Sequence, residues 1–393
     1  MEKPQSLRRM LAPFFIANGL IYGLNALYYS FIPKYLKDIA GKTEGEIGGL
    51  LSVGPLVAII SMVVCGIAAD KAKAKNNVLI FIMIVSAVIF CLVNFSHSYI
   101  YLMIIFAFLM FFLSPVGGLL DAISLEFTTA AGLKYGPVRI MGSAAFGVFS
   151  LLLSLILTVF KDYIDVKIIF PAYILIAAGA AISVKMMPKV AGHARGKVKV
   201  VYKDFFKDKA CVTLLLFMFI AHFSFGCYVG FMQNFLEERN NPSWIWGLAV
   251  FLSIIFELFF FWKFDYFFKR FKLRHIVMFS AVTQVLRYAS FAFLPSGPMV
   301  LITNFLTGSF TTVINYAAAY YINLTISKEM RAYGLTVIYS VSFFIPRFLS
   351  GVLGGLVVQN YSFTVLMQIC AVINILLILS SKFLTFREPV DKN

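Results

Sequence analysis

The sequence predicts an all-α polytopic membrane protein with twelve transmembrane helices in two six-helix bundles. Three observations carry that expectation. Of 393 residues, 61% are hydrophobic and only 13% are charged, whereas a soluble domain carries about 25% charged residues. Apolar runs of about 20 residues, enough to cross a hydrocarbon core of ~30 Å, recur along the whole chain. Lys and Arg residues gather in short clusters between those runs, as they do on the cytoplasmic side of a membrane.

Composition excludes other classes. The 26 glycines and 13 prolines are ordinary usage, so neither disorder nor a collagen-like repeat is expected. The five cysteines are scattered without a CxxC pair, which argues against a disulfide framework or a zinc site. A net charge of +16 would suit nucleic acid if it stood alone. Its confinement to loops beside apolar spans assigns it to the lipid bilayer instead.

The spans follow in order. The first, 11–35, comes after Arg8 and Arg9 and resembles the charged start of a signal peptide. It is too long for one, lacks a small-residue cleavage pattern and carries Asn18 and Asn25, so it reads as a retained helix. An outer loop with Lys34, Lys37 and Lys42 leads to the second span, 46–69. Lys71, Lys73 and Lys75 form the inner turn to the third, 77–95, and the fourth, 98–121, ends on Asp121. The fifth, 138–160, opens with Arg139, and an outer loop with Lys161 and Lys167 precedes the sixth, 165–187. The seventh, 210–236, carries His222, and Arg239 marks the outer turn to the eighth, 243–267, which carries Glu257. A basic inner turn from Lys269 to Arg274 opens the ninth, 274–294, with Arg287 inside it. The tenth, 298–325, contains Asn304 and Asn315. Lys328 and Arg331 precede the eleventh, 332–357, with Pro346 and Arg347, and 361–384 is the twelfth.

Charge fixes the expected orientation. With the N-terminus inside, inner segments hold 26 of the 34 Lys and Arg residues; six lie outside, and Arg287 and Arg347 lie within spans. Both termini are therefore expected in the cytoplasm. The basic connection 188–209 divides the chain into an N-terminal bundle, 1–187, and a C-terminal bundle, 210–393. The halves echo each other after their second spans. Gly66-x-x-x-Asp70-Lys71 leads to Lys73 and Lys75, and Lys263-Phe264-Asp265 leads to Lys269, Arg270, Lys272 and Arg274. The echo suggests a duplicated six-helix unit.

With those features the chain resembles the major facilitator superfamily. That family's first-half loop pattern is matched at Gly66, Asp70, Lys71 and Lys75, while Lys73 stands where its second glycine belongs and Ala74 where an arginine is usual.

Polar groups inside spans are costly, at roughly 2.5–3.5 kcal/mol for a mid-bilayer charge on insertion scales, so they face a partner or a wet cavity. Asp121 and Arg139 flank the inner turn between spans four and five, either as ordinary interfacial charges or as an interacting pair. Ser114, Gly118 and Asp121 share one helical face, as Arg139, Ser143 and Ser150 nearly do. Glu257 and Arg287 lie 14 and 16 residues from Phe271 on antiparallel helices, an offset of roughly 3 Å in depth. They can meet if their faces point together, as a static ion pair or as a pair facing the transport cavity. Asn18, Tyr22, Asn25 and Tyr29 recur on one face of span one, and Asn304, Thr307, Thr311 and Asn315 on one face of span ten. These stripes suit either helix–helix hydrogen bonding or a hydrophilic cavity. His222 reads as a packing residue or a proton carrier, and Arg347 as a solute contact or a bond to carbonyls freed by Pro346.

At these residues the resemblance narrows. The acid at the end of span four, followed by Tyr135-Gly136-x-x-Arg139-x-x-Gly142-Ser143, is similar to the oligosaccharide–proton symporter branch. Arg287-Tyr288 with its aromatic surroundings is similar to nucleoside–proton symporters and phenylpropionate-type permeases. The resemblance implies substrate contacts at Asp121 and Arg139, and a substrate or coupling pair at Glu257 and Arg287. It does not supply the histidine and glutamate that lactose permease carries in span ten, because Thr303 to Phe310 contains neither.

No Walker-type phosphate loop, HExxH or GxSxG segment occurs, and outer loops are short, so neither an ATP-driven motor nor a membrane enzyme is expected. No cofactor or metal is expected. The expectation is a monomeric secondary transporter in the cell membrane that takes up a small polar solute, a sugar or nucleoside, with protons. Asn18, Tyr22, Asn25, Asn304, Asn315 and Arg347 join Asp121 and Arg139 as candidate solute contacts, and Glu257 with Arg287 as the candidate coupling pair. Uptake of a small aromatic acid, or a sensor that no longer moves solute, is the alternative.

Overall fold

The structure, a computed structural model, describes residues 4–192, 209–294, 296–308 and 340–380. Among these residues it contains twelve α-helices and no strand. They are α1 (Pro4–Asp38), α2 (Glu44–Lys71), α3 (Lys75–Leu92), α4 (Tyr99–Ala130), α5 (Gly136–Val159), α6 (Ile169–Met186), α7 (Lys209–Glu238), α8 (Trp244–Arg270), α9 (Leu273–Phe293), α10 (Gly297–Phe305), α11 (Ile345–Asn360) and α12 (Phe363–Ser380). Among the described residues nine segments are long and apolar enough to cross a membrane, and shorter apolar stretches occupy Trp244–Phe259 of α8 and Phe363–Leu379 of α12.

Local chemistry sets several helix ends. Thr43 accepts from the Glu46 amide while the Glu46 carboxylate accepts from the Thr43 amide, a reciprocal cap that starts α2. Pro137 stands in the first turn of α5, where its missing N–H costs nothing. α4 runs nine residues past the end its apolar run predicts. Ile123, Ser124 and Thr128 are buried in that extension, and Thr128 Oγ1 donates back to the Ser124 carbonyl at 2.8 Å. Packing prolongs this helix beyond the hydropathy signal.

The chain forms two compact units. The first comprises Met1–Gly196 with Pro242–Phe251; the second comprises Lys197–Asn241 with Leu252–Asn393. Their division in the chain falls inside the 188–209 connection, but the opening turns of α8 group with the first unit. Gly247 is the physical reason: a Cβ there would overlap Ser154 of α5, and the Trp244 amide donates to Thr158 Oγ1 at 3.2 Å.

In the first unit α1 lies against α5 and α6, α2 against α4, and α3 against α4 and α6. Its interior is aromatic: Phe90 stacks on Tyr173 at 4.3 Å, and Tyr35 meets Phe170 edge-on at 5.0 Å. In the second unit α9 lies against α12, and α7 against α11 and α12. Tyr228 stacks on Phe291 at 5.4 Å, and Asn374 of α12 donates to Ser224 of α7 at 2.8 Å. Outward faces are apolar, as on α6, where Leu175 is 75% exposed while Ser183 is buried and donates to the Pro13 carbonyl at 2.8 Å. Apolar surface outside and hydroxyls inside is the arrangement a hydrocarbon solvent selects.

Residues of the partial loop motif assemble at one end of the first unit. Lys75 is buried, 2.8 Å from a Glu126 carboxylate oxygen of α4 and 3.8 Å from one of Asp70. The Lys75 amide donates to Val190, Gly192 donates to the Ala72 carbonyl, and Asn76 Oδ1 accepts from the Val190 amide at 3.0 Å. The segment leaving α6 is thereby strapped across the α2–α3 turn.

Candidate functional site

Among the described residues each unit holds a polar cluster within its helices, and each is described by itself. In the first, α1, α4 and α5 converge. Asp121 lies nine residues before the end of α4, roughly 14 Å along the helix, rather than at its inner end. Arg139 Nε stands 3.6 Å from Asp121 Oδ2. The Tyr22 hydroxyl donates to the same oxygen at 3.3 Å, and the Arg139 guanidinium lies over the Tyr22 ring at 4.5 Å. Arg139 also reaches Ser143 Oγ at 3.4 Å. Gly142 makes the approach possible: a Cβ there would stand 2.6 Å from Tyr22 Cδ2. Both charged side chains remain about one-third exposed, at 35% for Arg139 and 31% for Asp121.

Bonds are left open in this cluster. Among the described residues Asp121 Oδ1 and the Tyr135 hydroxyl are buried with no other hydrogen-bond partner, and the two groups interact with each other electrostatically. Burial, then the charge of Asp121, pushes the Tyr135 phenol well above its ordinary pKa, so it stays protonated as a donor. Asn18 Nδ2 donates to the Phe14 carbonyl at 2.9 Å and approaches Ser124 Oγ at 3.5 Å, while its Oδ1 is unpartnered. Asn25, two turns further on, is half-buried, and Tyr29 beyond it is 49% exposed.

The second cluster centres on Arg287, which is fully buried. One guanidinium nitrogen donates to Thr307 Oγ1 and the other to the Tyr288 hydroxyl at 2.9 Å. Thr307 Oγ1 in turn donates to Asn304 Oδ1 at 3.0 Å, which also accepts from the Tyr228 hydroxyl at 2.9 Å. The guanidinium lies 4.2 Å from the Tyr228 ring and 5.7 Å from Phe225, and Arg347 of α11 lies 4.9 Å from that same Phe225 ring. A π-helical turn, Ser340–Phe344, immediately precedes the Pro346-Arg347 pair; such turns concentrate at functional sites.

Glu257 does not meet Arg287. The partners of Arg287 are Thr307, Tyr288 and aromatic rings, with no carboxylate among them. Similar depth on antiparallel helices does not fix helix rotation, and each residue step turns the side chain by about 100°. Glu257 is half-buried on α8 where Gly308, three residues past α10, comes close, its Cα 3.0 Å from the Cβ that Gly308 lacks. His222 Nδ1 bonds the Met218 carbonyl at 2.8 Å and the ring packs on Phe343, a satisfied packing histidine. Asn315, with Thr311, lies outside the described residues. Sequence reasoning missed Phe225, Tyr228 and Ser124. Their signal, Phe225 and Tyr228 three residues apart on α7, is hidden among 43 phenylalanines.

Two units of apolar, membrane-crossing helices, each enclosing a charged and aromatic cluster, define a polytopic membrane transporter rather than an enzyme. The chain belongs to the MFS_1 like family, whose model matches residues 16–369. It is 24% identical over 317 residues to the "Uncharacterized transporter YwbF" of Bacillus subtilis (strain 168), covering 78% of this chain and 77% of that one. It is 22% identical over 321 residues to a "Probable 3-phenylpropionic acid transporter" of Escherichia coli (strain K12), covering 80% and 82%. The fold is similar to a crystal structure of the nucleoside transporter NupG, with a TM-score of 0.81 at 17% identity over 95% of this chain and 98% of that one.

Proposed function

We propose that this transporter takes up a small polar organic solute, of the sugar or nucleoside class, together with protons. It works by alternating access in the cell membrane, as a monomer with both termini in the cytoplasm. The observation that carries this reading is the Asp121–Arg139–Tyr22 cluster. It places a charge pair well inside the length of α4, with a carboxylate oxygen and the Tyr135 hydroxyl beside it that make no other hydrogen bond among the described residues, so a solute, water or proton can bind there. Asn18, Tyr22, Asn25 and Arg139 offer amide, phenol and guanidinium groups suited to hydroxyl-rich or heterocyclic solutes. Asn304 and Arg347 are the candidate solute contacts of the second unit. Glu257 is the proton-coupling carboxylate, acting apart from Arg287. The kinship with transporters and the fold shared with a nucleoside transporter support the class.

The test is uptake of labelled sugars and nucleosides into proteoliposomes under an imposed inward proton gradient. Accumulation that collapses with a protonophore is expected. Uptake that requires sodium and ignores the proton gradient would overturn the coupling.

A further inference from the structure

One face of α9 carries an uncompensated set of polar atoms. Ser280, Gln284 and Arg287 fall at steps of four and three, hence on one helical face, and all three are buried. Among the described residues, Ser280 Oγ, both side-chain polar atoms of Gln284 and Arg287 Nε have no hydrogen-bond partner. Among the described residues Arg287 moreover has no carboxylate hydrogen-bonded or ion-paired to it, only hydroxyls and rings. A buried charge without a counter-ion and a buried amide without partners are both strongly unfavourable. Buried polar groups in native proteins are satisfied, and exceptions call for a missing partner.

The chemistry of that partner follows from the groups. A guanidinium is a planar fork that pairs with carboxylate oxygens, and a neighbouring glutamine amide adds a further donor. The second guanidinium, Arg347, lies on the Phe225 ring that Arg287 also approaches. Phe225, Tyr228 and Tyr288 surround the charge with aromatic faces rather than acids. In the first unit the positive charge of Arg139 is already matched by Asp121.

We infer that Arg287 and Gln284 of α9, with Arg347 of α11, form an anion-recognition element that takes the carboxylate of the transported solute. The aromatic rings hold the solute's less polar body. Ser280, Gln284 and Arg287 are closed off in the present conformation, so the element opens as the second unit rearranges, and its unmet bonds favour that opening. This rests on the transport reading above and narrows its solute to an acidic one.

The test compares acids with uncharged counterparts on the purified full chain in lipid nanodiscs: 3-phenylpropionate against 3-phenylpropanamide, and glucuronate against glucose. Thermal stabilisation gives apparent affinity. At least one acid should bind about tenfold or more tightly than its counterpart. Arg347→Gln and Gln284→Leu should each reduce that ratio towards one. Gln284→Leu should also raise the melting temperature of the unliganded protein, because it removes an unsatisfied amide. A merely structural role would move melting temperatures and leave the acid-to-neutral ratio intact. If Arg287→Lys fails to fold, the other two variants still decide.

Equal binding of acid and neutral partner, no stabilisation by either acid, or an unchanged ratio in Arg347→Gln would overturn the inference. So would a preference for uridine monophosphate over uridine without any preference for the carboxylates. Proton-driven uptake of uridine or maltose, with no effect of the acids, would sink the inference and keep the transport reading. No proton-driven uptake of any of these solutes would sink the transport reading itself.

Discussion

At the scale of single residues, the Asp121–Arg139 pair is a contact with unfinished bonding. Asp121 Oδ2 is engaged by Arg139 and Tyr22, and among the described residues Oδ1 has no neighbour but Tyr135 to bond. Asp121→Asn and Arg139→Gln should insert and fold, since each leaves the helices and Gly142 packing intact, yet each should lose solute binding by tenfold or more. Ligand-induced thermal shift of the two variants checks this; full-strength binding by either would reduce the pair to structural charges. Glu257 has a separate role in the proposal. Glu257→Gln should retain solute exchange and lose uphill accumulation under a proton gradient, and wild-type accumulation by that variant would end its coupling assignment. Asp121 and Arg139 were legible as a candidate pair because both stand near the same connection in the chain. Whether Glu257 meets Arg287 was left open by the sequence, because depth can be counted along a chain whereas rotation cannot.

At the scale of elements, close helix crossings depend on particular glycines. Gly308 of the α10 region lies against the backbone of α8 at Ser253 and Glu257, which cannot move aside as a flexible side-chain tip can. Gly308→Leu should therefore destabilise the second unit by about 1–3 kcal/mol, the usual range for overpacking. Gly230 of α7 has open space where its Cβ would be. Gly230→Ala should be neutral or stabilise by up to ~1 kcal/mol through helix propensity. Detergent-solubilised unfolding midpoints of the two variants should shift in opposite directions, or only the first should move. The strap from α6 across the α2–α3 turn is held through Asn76, Lys75 and Gly192, of which the sequence pattern had marked only Lys75.

At the scale of the whole molecule, the predictions concern direction and driving ion. Solute–proton symport into the cytoplasm should make a lightly buffered external medium more alkaline when solute is added to cells. An unchanged external pH during sodium-dependent accumulation would contradict it. Single cysteines placed at 2 and 391 should resist an impermeant thiol reagent in intact cells and react after permeabilisation, because basic residues crowd the segments expected to lie inside.

The sequence by itself determined the class and, among the described residues, the helices and most of their approximate limits, because hydropathy and charge act locally and a bilayer imposes a fixed length on every span. It also marked the costly residues, since a charge inside an apolar run is visible without neighbours. Only the tertiary structure decided which of those residues meet. It extended α4 past Asp121, grouped the start of α8 with the first unit through Gly247, and set Arg287 among Thr307, Tyr288 and Tyr228 instead of beside Glu257. Those outcomes depend on how each helix is rotated about its axis and how closely its neighbours approach. Both are settled by side-chain packing between segments distant in the chain, which no local pattern encodes.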